Sequence, residues 1–250
     1  MSHNFTVDGG KSIKLKTAGK FCDQDIVVTA RGDNEEWNAF WDRFQDNGNR
    51  GNYSFAFMNA GNSWDSTNFK PKHNIIMKGA CNNAFYLWQH NEPTDIGAIL
   101  KKQDVILDTS KAENMTNLFA YGTCIIGSLP TIDLTSATNQ TGGIFNSVMV
   151  HTIEKLIVTT NTVYGSMFRN CYNLENIVVE GTIAQSGLDL SACTKLSADS
   201  LASFVYALSP DAKGLSVTFP STAQATYDAK HGEGSWYNLI DYLRDWSIVW

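Results

Sequence analysis

The stretch Gly165-Ser166-Met167-Phe168-Arg169-Asn170-Cys171-Tyr172-Asn173-Leu174-Glu175-Asn176-Ile177 decides how this chain is read. Phe168, Cys171, Leu174 and Ile177 recur at every third residue. A long α-helix alternates three- and four-residue steps and a strand takes steps of two, so this spacing fits a tight helical turn running into a strand. The pattern has echoes on both sides. A small or aliphatic residue followed by phenylalanine occurs at Ala84-Phe85, Leu118-Phe119, Ile144-Phe145, Met167-Phe168 and Ser203-Phe204. The phenylalanines are 34, 26, 23 and 36 residues apart. Repetition at such periods marks units that cannot cover their own apolar side and must stack to bury it.

Short strand patterns lie between the phenylalanines: Ile132-Asp133-Leu134, Leu156-Ile157-Val158, Ile177-Val178-Val179, Leu188-Asp189-Leu190 and Leu215-Ser216-Val217. Hydroxyl doublets come after three strands. Thr135-Ser136 and Thr159-Thr160 come after the first two, and Thr109-Ser110 after Val105-Ile106-Leu107. The next phenylalanine comes 10 residues after Thr109, 10 after Thr135 and 9 after Thr159. Stacked units of this kind align their strands in a parallel ladder about 4.8 Å apart. The expected fold class is α/β: a solenoid with a parallel strand ladder, capped by helices, plus a small N-terminal β module; the leucine-rich-repeat character of that solenoid is what the resemblance given below implies.

The chain divides into four segments. Residues 1–32 form a small β attachment module, with Ser12–Lys16 and Asp25–Ala30 as strands and Gly9-Gly10 and Ala18-Gly19 as turns. Residues 33–78 form an N-terminal cap. Its helix carries Trp37, Phe40, Trp41 and Phe44 on one face, and after a Gly/Asn-rich loop comes a strand at Asn74–Met77. Residues 79–219 hold the repeats. Residues 220–250 form a C-terminal cap, with Trp236, Leu239, Ile240 and Leu243 at helical spacing and a last strand at Trp246–Trp250. A helix starting at Ser197–Ser200, with Leu201, Phe204, Val205 and Leu208 on one side, leads into that cap.

Composition bounds the function. The 250 residues are 43% hydrophobic and 18% charged, which predicts a buried core. Nineteen basic against 25 acidic residues give a net charge of −6, and no Lys/Arg cluster offsets it, so nucleic acid is not the expected partner. Met1-Ser2-His3-Asn4-Phe5-Thr6 does not read as a signal peptide, and no apolar run approaches the roughly 18 residues of a membrane span. A protein that is neither exported by the common route nor membrane-bound is expected.

Chemical motifs are scarce. Gly10-Lys11-Ser12 lacks the glycine five positions upstream that a phosphate loop needs, so it reads as a turn. His3, His73, His90, His151 and His231 are scattered and read as satisfied or surface side chains. Cys22, Cys81, Cys124, Cys171 and Cys193 have spacings of 59, 43, 47 and 22, which suit no zinc module, and buried reduced thiols are expected. Asp133 and Asp189 point outward from strands and read as a solvated face. Arg31-Gly32-Asp33 matches an integrin-type tripeptide, but Asp33 has a competing role as helix cap. The sequons at Asn4, Asn52, Asn114 and Asn139 carry meaning only in a secreted protein. The prediction is no catalytic, cofactor or metal residue.

The Phe168-x-x-Cys171-x-x-Leu174-x-x-Ile177 pattern resembles the bacterial surface-antigen (BspA-like) class of leucine-rich repeat, and Leu188–Leu201 looks like a closing repeat of that class. The resemblance covers roughly residues 79–219. The opening Gly9–Ala30 is similar to a short module at the start of many tail-associated proteins of phages and prophages from gut Firmicutes, and the Trp37–Trp64 block looks like the segment that adjoins this module in those proteins. That resemblance implies a non-enzymatic virion accessory, tail or baseplate protein that attaches to other virion proteins through its N-terminal module. It implies contact with a host-surface glycan or protein, self-association, and release from the host by lysis. A bacterial surface adhesin of the same repeat class is the alternative, and a glycan-active enzyme the third reading.

Overall fold

The computed structural model of the chain describes residues 2–7, 11–16, 74–87, 93–137 and 140–250. The aromatic helix expected within 33–78, the strand expected at 25–30, Arg31-Gly32-Asp33 and the loop before residue 74 lie outside the described residues. The fold is mixed α/β, dominated by parallel strand pairs with few helices.

At the N-terminus, β1 (Ser2–Val7) and β2 (Lys11–Lys16) pair antiparallel, with Ser2 opposite Lys16 and Val7 opposite Lys11.

From residue 75 onward the named strand pairs are parallel. β3 (Ile75–Ala80) pairs β4 (Leu107–Asn114). β7 (Thr152–Val158) lies between β8 (Asn176–Gly181) on one side and the short β5 (Ser128–Leu129) and β6 (Ile132–Asp133) on the other. Pro130, which has no N–H to donate, falls between β5 and β6 and accounts for the interruption. A third sheet has the order β11–β10–β9, from Trp246–Val249, Leu215–Thr218 and Leu188–Asp189. The five strands expected between residues 132 and 217 are present with slightly shifted ends.

Hydroxyls join the neighbours that backbone pairing misses. The Thr109 Oγ1 donates to the Asp133 carbonyl at 3.0 Å and accepts from the Asp133 N–H at 2.7 Å. Thr141 treats Val163 in the same way, at 2.6 and 2.9 Å. The open edge of β8 is met by helix α2 (Ala198–Ala207), whose Ser200 and Ser203 hydroxyls accept from the N–H groups of Ile177 and Val179 at 2.9 and 2.7 Å. Covering an edge strand with a helix is a standard defence against further strand pairing. The hydroxyl doublets share no single role, however. Thr109-Ser110 lies inside β4 with Thr109 buried, whereas Thr135 is exposed in a turn.

Phenylalanine side chains fill the interior. Phe85, Phe119, Phe145, Phe168 and Phe204 are all at most 1% exposed. Their ring centroids succeed one another at 5.0, 6.2, 5.5 and 5.6 Å. The first four rings stack within 27° of parallel, while Phe204 meets Phe168 edge-on at 89°. The reason is local: Phe204 comes from α2 and not from a turn like the others. Phe168, Cys171, Leu174 and Ile177 are all buried, so the three-residue period is a core period.

The turns around the first four phenylalanines close internally in the same way, and those around the first three also bond the next segment. Alternate N–H groups close turns within a segment, as in Ala84 to Cys81 and Tyr86 to Asn83. The intervening N–H groups reach the next segment. Those of Asn83, Phe85 and Leu87 find the carbonyls of Thr116, Leu118 and Ala120 at 3.0, 2.7 and 3.0 Å. Those of Asn117, Phe119 and Tyr121 find Gly142, Ile144 and Asn146 at 2.9, 2.9 and 2.7 Å. Those of Gly143, Phe145 and Ser147 find Gly165, Met167 and Arg169 at 2.9, 3.0 and 2.8 Å. The alternation requires positive φ two residues before and two after each ring: Asn83 and Leu87, Asn117 and Tyr121, Gly143 and Ser147, Ser166 and Asn170. Asn, Gly and Ser at the earlier position tolerate this left-handed geometry. At Gly143 space matters too, because an added Cβ would sit 2.3 Å from the Asn117 Oδ1.

Helix α1 (Ile96–Gln103) has no counterpart among the elements expected from the sequence. It is short, but capped at both ends: the Asp95 carboxylate accepts from the Ala98 N–H at 2.8 Å, and Asp104 closes it in the left-handed conformation. The C-terminal helices are α3 (Ala223–His231) and α4 (Ser235–Ile240). Trp236, Leu239 and Leu243 are buried as their spacing predicts, although α4 stops at Ile240 and Leu243 lies in the turn beyond it.

Candidate binding site

Two of the grooves lined by described residues lie along the parallel strands. The smaller, about 500 Å³, runs between α1 and the strands and contains Lys101, Asp108, Asp133 and Glu154. Two of its carboxylates are engaged by their own backbone: Asp108 Oδ1 accepts from Ser110 N–H at 2.9 Å and Asp133 Oδ1 from Thr135 N–H at 2.8 Å. They shape turns. Asp189 does the same with Ser191 N–H at 2.9 Å. The outward-facing acids Asp133 and Asp189 are thus turn formers, a role that spacing alone does not reveal.

The larger groove, about 770 Å³, lies against the Phe168 turn. One wall is Ser166, Phe168, Arg169, Asn170 and Tyr172. The other is formed by residues 187–189, 191 and 192 with Ser216 and Thr218 of β10. The first wall is stiffened by a side-chain relay. The Tyr172 hydroxyl donates to Asn170 Oδ1 at 2.8 Å, Asn170 Nδ2 donates to the Ser147 hydroxyl at 3.2 Å, and that hydroxyl donates to Asn146 Oδ1 at 2.9 Å. Tyr172 is held in place while still 53% exposed. Arg169 is exposed and makes no ion pair among the described residues.

The backbone of this wall differs from its three predecessors. Ser166, Phe168 and Asn170 correspond to Gly143, Phe145 and Ser147, whose N–H groups each meet a carbonyl of the next segment. The N–H groups of Ser166, Phe168 and Asn170 meet no acceptor among the described residues, while the intervening Met167, Arg169 and Cys171 still close their turns on Tyr164, Ser166 and Phe168. The chain after Gly181 does not repeat the turn. Ile183 bridges to Leu208, and Leu188 and Asp189 pair with β10. The groove occupies the side where a fifth turn would have placed its carbonyls. Sequence reasoning does not reach this row, although Asn or Ser flanking each phenylalanine is a readable sign of left-handed turns.

The remaining motifs take ordinary places. His151 Nδ1 lies 3.1 Å from Glu175 Oε1, and His231 stacks on Tyr227 at 4.4 Å. His3 and Asn4 lie in β1, and Lys11 and Ser12 in β2. Asn114 ends β4 and accepts from Thr116 N–H at 3.0 Å, again a turn. His73, His90, Cys22, Asn52 and Asn139 lie outside the described residues. Cys81, Cys124, Cys171 and Cys193 are reduced thiols. Burial pushes the Cys81 thiol up to about 12. A hydrogen bond with Cys171, and then burial, raises that of Cys193 far above the ordinary thiol range. Both are poor nucleophiles and poor metal ligands in this state. Among the described residues no three His, Cys, Asp or Glu side chains gather as a metal site, and no helix is long and apolar enough to cross a membrane.

No protein-family model, curated protein or solved structure matches the chain.

Proposed function

We propose that this protein is a non-enzymatic structural and binding subunit of a phage particle, built as a leucine-rich-repeat solenoid. The observation that carries the scaffold half of this reading is the row of five buried phenylalanines, with turn-to-turn hydrogen bonds across the first four. Such an arrangement devotes its interior to stacking and leaves one extended polar surface per face, the usual form of a binding scaffold. The phage half rests on the resemblance of residues 9–30 to the tail-associated module. The β1–β2 hairpin suits attachment, since among the described residues its two strands pair only with each other and an isolated hairpin is marginally stable. A host-surface glycan or protein is the target this reading assigns to the exposed faces.

The test is mass spectrometry of purified particles together with a deletion of residues 1–32. The chain should be present at fixed stoichiometry, and the truncated form should fold but drop out of particles. Recovery in the cell envelope and not in particles would favour the adhesin. Release of reducing sugar from host polysaccharide would make it an enzyme.

A further inference from the structure

We propose that the groove along Ser166, Phe168 and Asn170 binds a peptide segment of small polar residues bearing a carboxylate. The inference rests on the binding role proposed above and names the ligand class for it. Three backbone donors two residues apart form the recognition edge. In the three preceding segments the equivalent donors each take the carbonyls of alternate residues of a neighbouring chain segment at 2.7–3.0 Å. The fourth edge has the same residue order and the same positive φ at Ser166 and Asn170, so it presents the same template. A single anion can engage one end of such a row, whereas a polypeptide backbone offers acceptors at a matching repeat.

The walls restrict the side chains. The place below the groove where another stacked ring would enter is filled by Phe204, edge-on to Phe168 at 5.6 Å. A ligand therefore gains the backbone slot without access to the core, and large apolar side chains have nowhere to go. Ser191, Ser216 and Thr218 line the facing wall, which suits Gly, Ser or Asn. Arg169, exposed and without an ion pair among the described residues, stands on the same wall as the donors and can grip a carboxylate through two N–H groups. Asp189 opposite it can accept a peptide N–H and disfavours a second acid nearby.

The experiment uses the full chain, labelled for amide NMR and titrated with the acetylated, amidated pentapeptide Gly-Ser-Asp-Gly-Ser. The amides of Ser166, Phe168 and Asn170 should shift together and slow their hydrogen exchange, while those of Gly143, Phe145 and Ser147 stay fixed. Arg169→Ala should weaken binding about tenfold, as should replacing the peptide's Asp by Lys, because a charge-assisted bidentate contact is lost. No shift at these three amides at millimolar peptide overturns the proposal. So does an equal shift with acetate alone, which would mark an anion site, or with an N-acetylglucosamine disaccharide, which would mark a glycan site. The result is independent of particle incorporation: binding without incorporation leaves this inference standing, and incorporation without binding leaves the particle role standing.

Discussion

Phe168→Ala tests the stacked interior where it is most constrained. The ring is 1% exposed and lies between Phe145 at 5.5 Å and Phe204 at 5.6 Å. Truncating a buried phenylalanine costs about 3–5 kcal/mol through lost transfer energy and the cavity left behind. Two aromatic contacts, each contributing about 0.5–1.5 kcal/mol beyond burial, place this site at the upper end, near 4–5 kcal/mol. Relaxation is limited, because Phe145 is tied through its N–H to Met167 at 3.0 Å and Phe204 is fixed on α2. Urea titration should show a lower midpoint with an unchanged slope, and the melting temperature should fall by roughly 10 °C or more for a chain of this size. Phe168→Leu, which keeps most of the volume, should cost less than half as much. A loss below about 1 kcal/mol for the alanine variant would refute the argument that the rings form one mutually supported stack.

Four further outcomes are expected. Gly181 has φ +102° and an added Cβ would lie 2.0 Å from the Val158 carbonyl oxygen, so Gly181→Ala should cost at least about 2 kcal/mol in denaturant titration; near-neutrality would show that the β7–β8 end yields freely. The buried Tyr164 hydroxyl has no partner in hydrogen-bond geometry among the described residues, and burial raises its pKa although the Thr162 hydroxyl offsets part of the rise; Tyr164→Phe should leave stability unchanged or raise it by up to about 1 kcal/mol, and a loss of that size would reveal a further partner. Iodoacetamide at pH 8 should modify Cys124 in the native protein and spare Cys81, Cys171 and Cys193 as read by peptide mass spectrometry, with reductant and chelator leaving the melting temperature unchanged; rapid labelling of Cys193 contradicts the assigned thiol environment. The Lys230 ammonium, 2.6 Å away, lowers the Asp199 pKa by hydrogen bond and charge, so this pair stabilises the fold above the unfolded-state pKa and the effect is lost as pH falls through the lower folded value; Asp199→Asn should flatten that acid limb slightly at low salt, and an unchanged limb would count the pair as inert.

The phenylalanine period, the parallel strands and the helix at Ser197 are legible in the sequence because each is written in side chains: a ring every turn, aliphatic residues in alternation, and a capping serine followed by an apolar face. The Asp95 cap of α1 is equally local, but the helix has only 8 residues and Ile96, Gly97 and Leu100 are too few to declare a face. The hydroxyl doublets mislead because threonine at a strand edge and threonine in a turn look alike in sequence. Thr109 bonds a neighbouring strand 24 residues away, and that partner is set by stacking. The recognition edge at Ser166, Phe168 and Asn170 is the least legible feature of all. It arises from where the succeeding chain does not go, and no residue within the edge encodes that.

The alternating turn scheme also makes the fold sensitive to parity. Within each phenylalanine turn, odd and even positions have different duties: one set of N–H groups closes its own turn and the other faces the neighbour. One residue inserted or deleted inside such a turn exchanges the two sets, aims the outward donors inward and moves the positive-φ positions onto residues not chosen for them. An insertion or deletion should therefore be borne in the connections between turns better than inside a turn. The unequal intervals of 34, 26 and 23 residues between the first four phenylalanines obey that rule, since the turns keep one register while the connections absorb the difference.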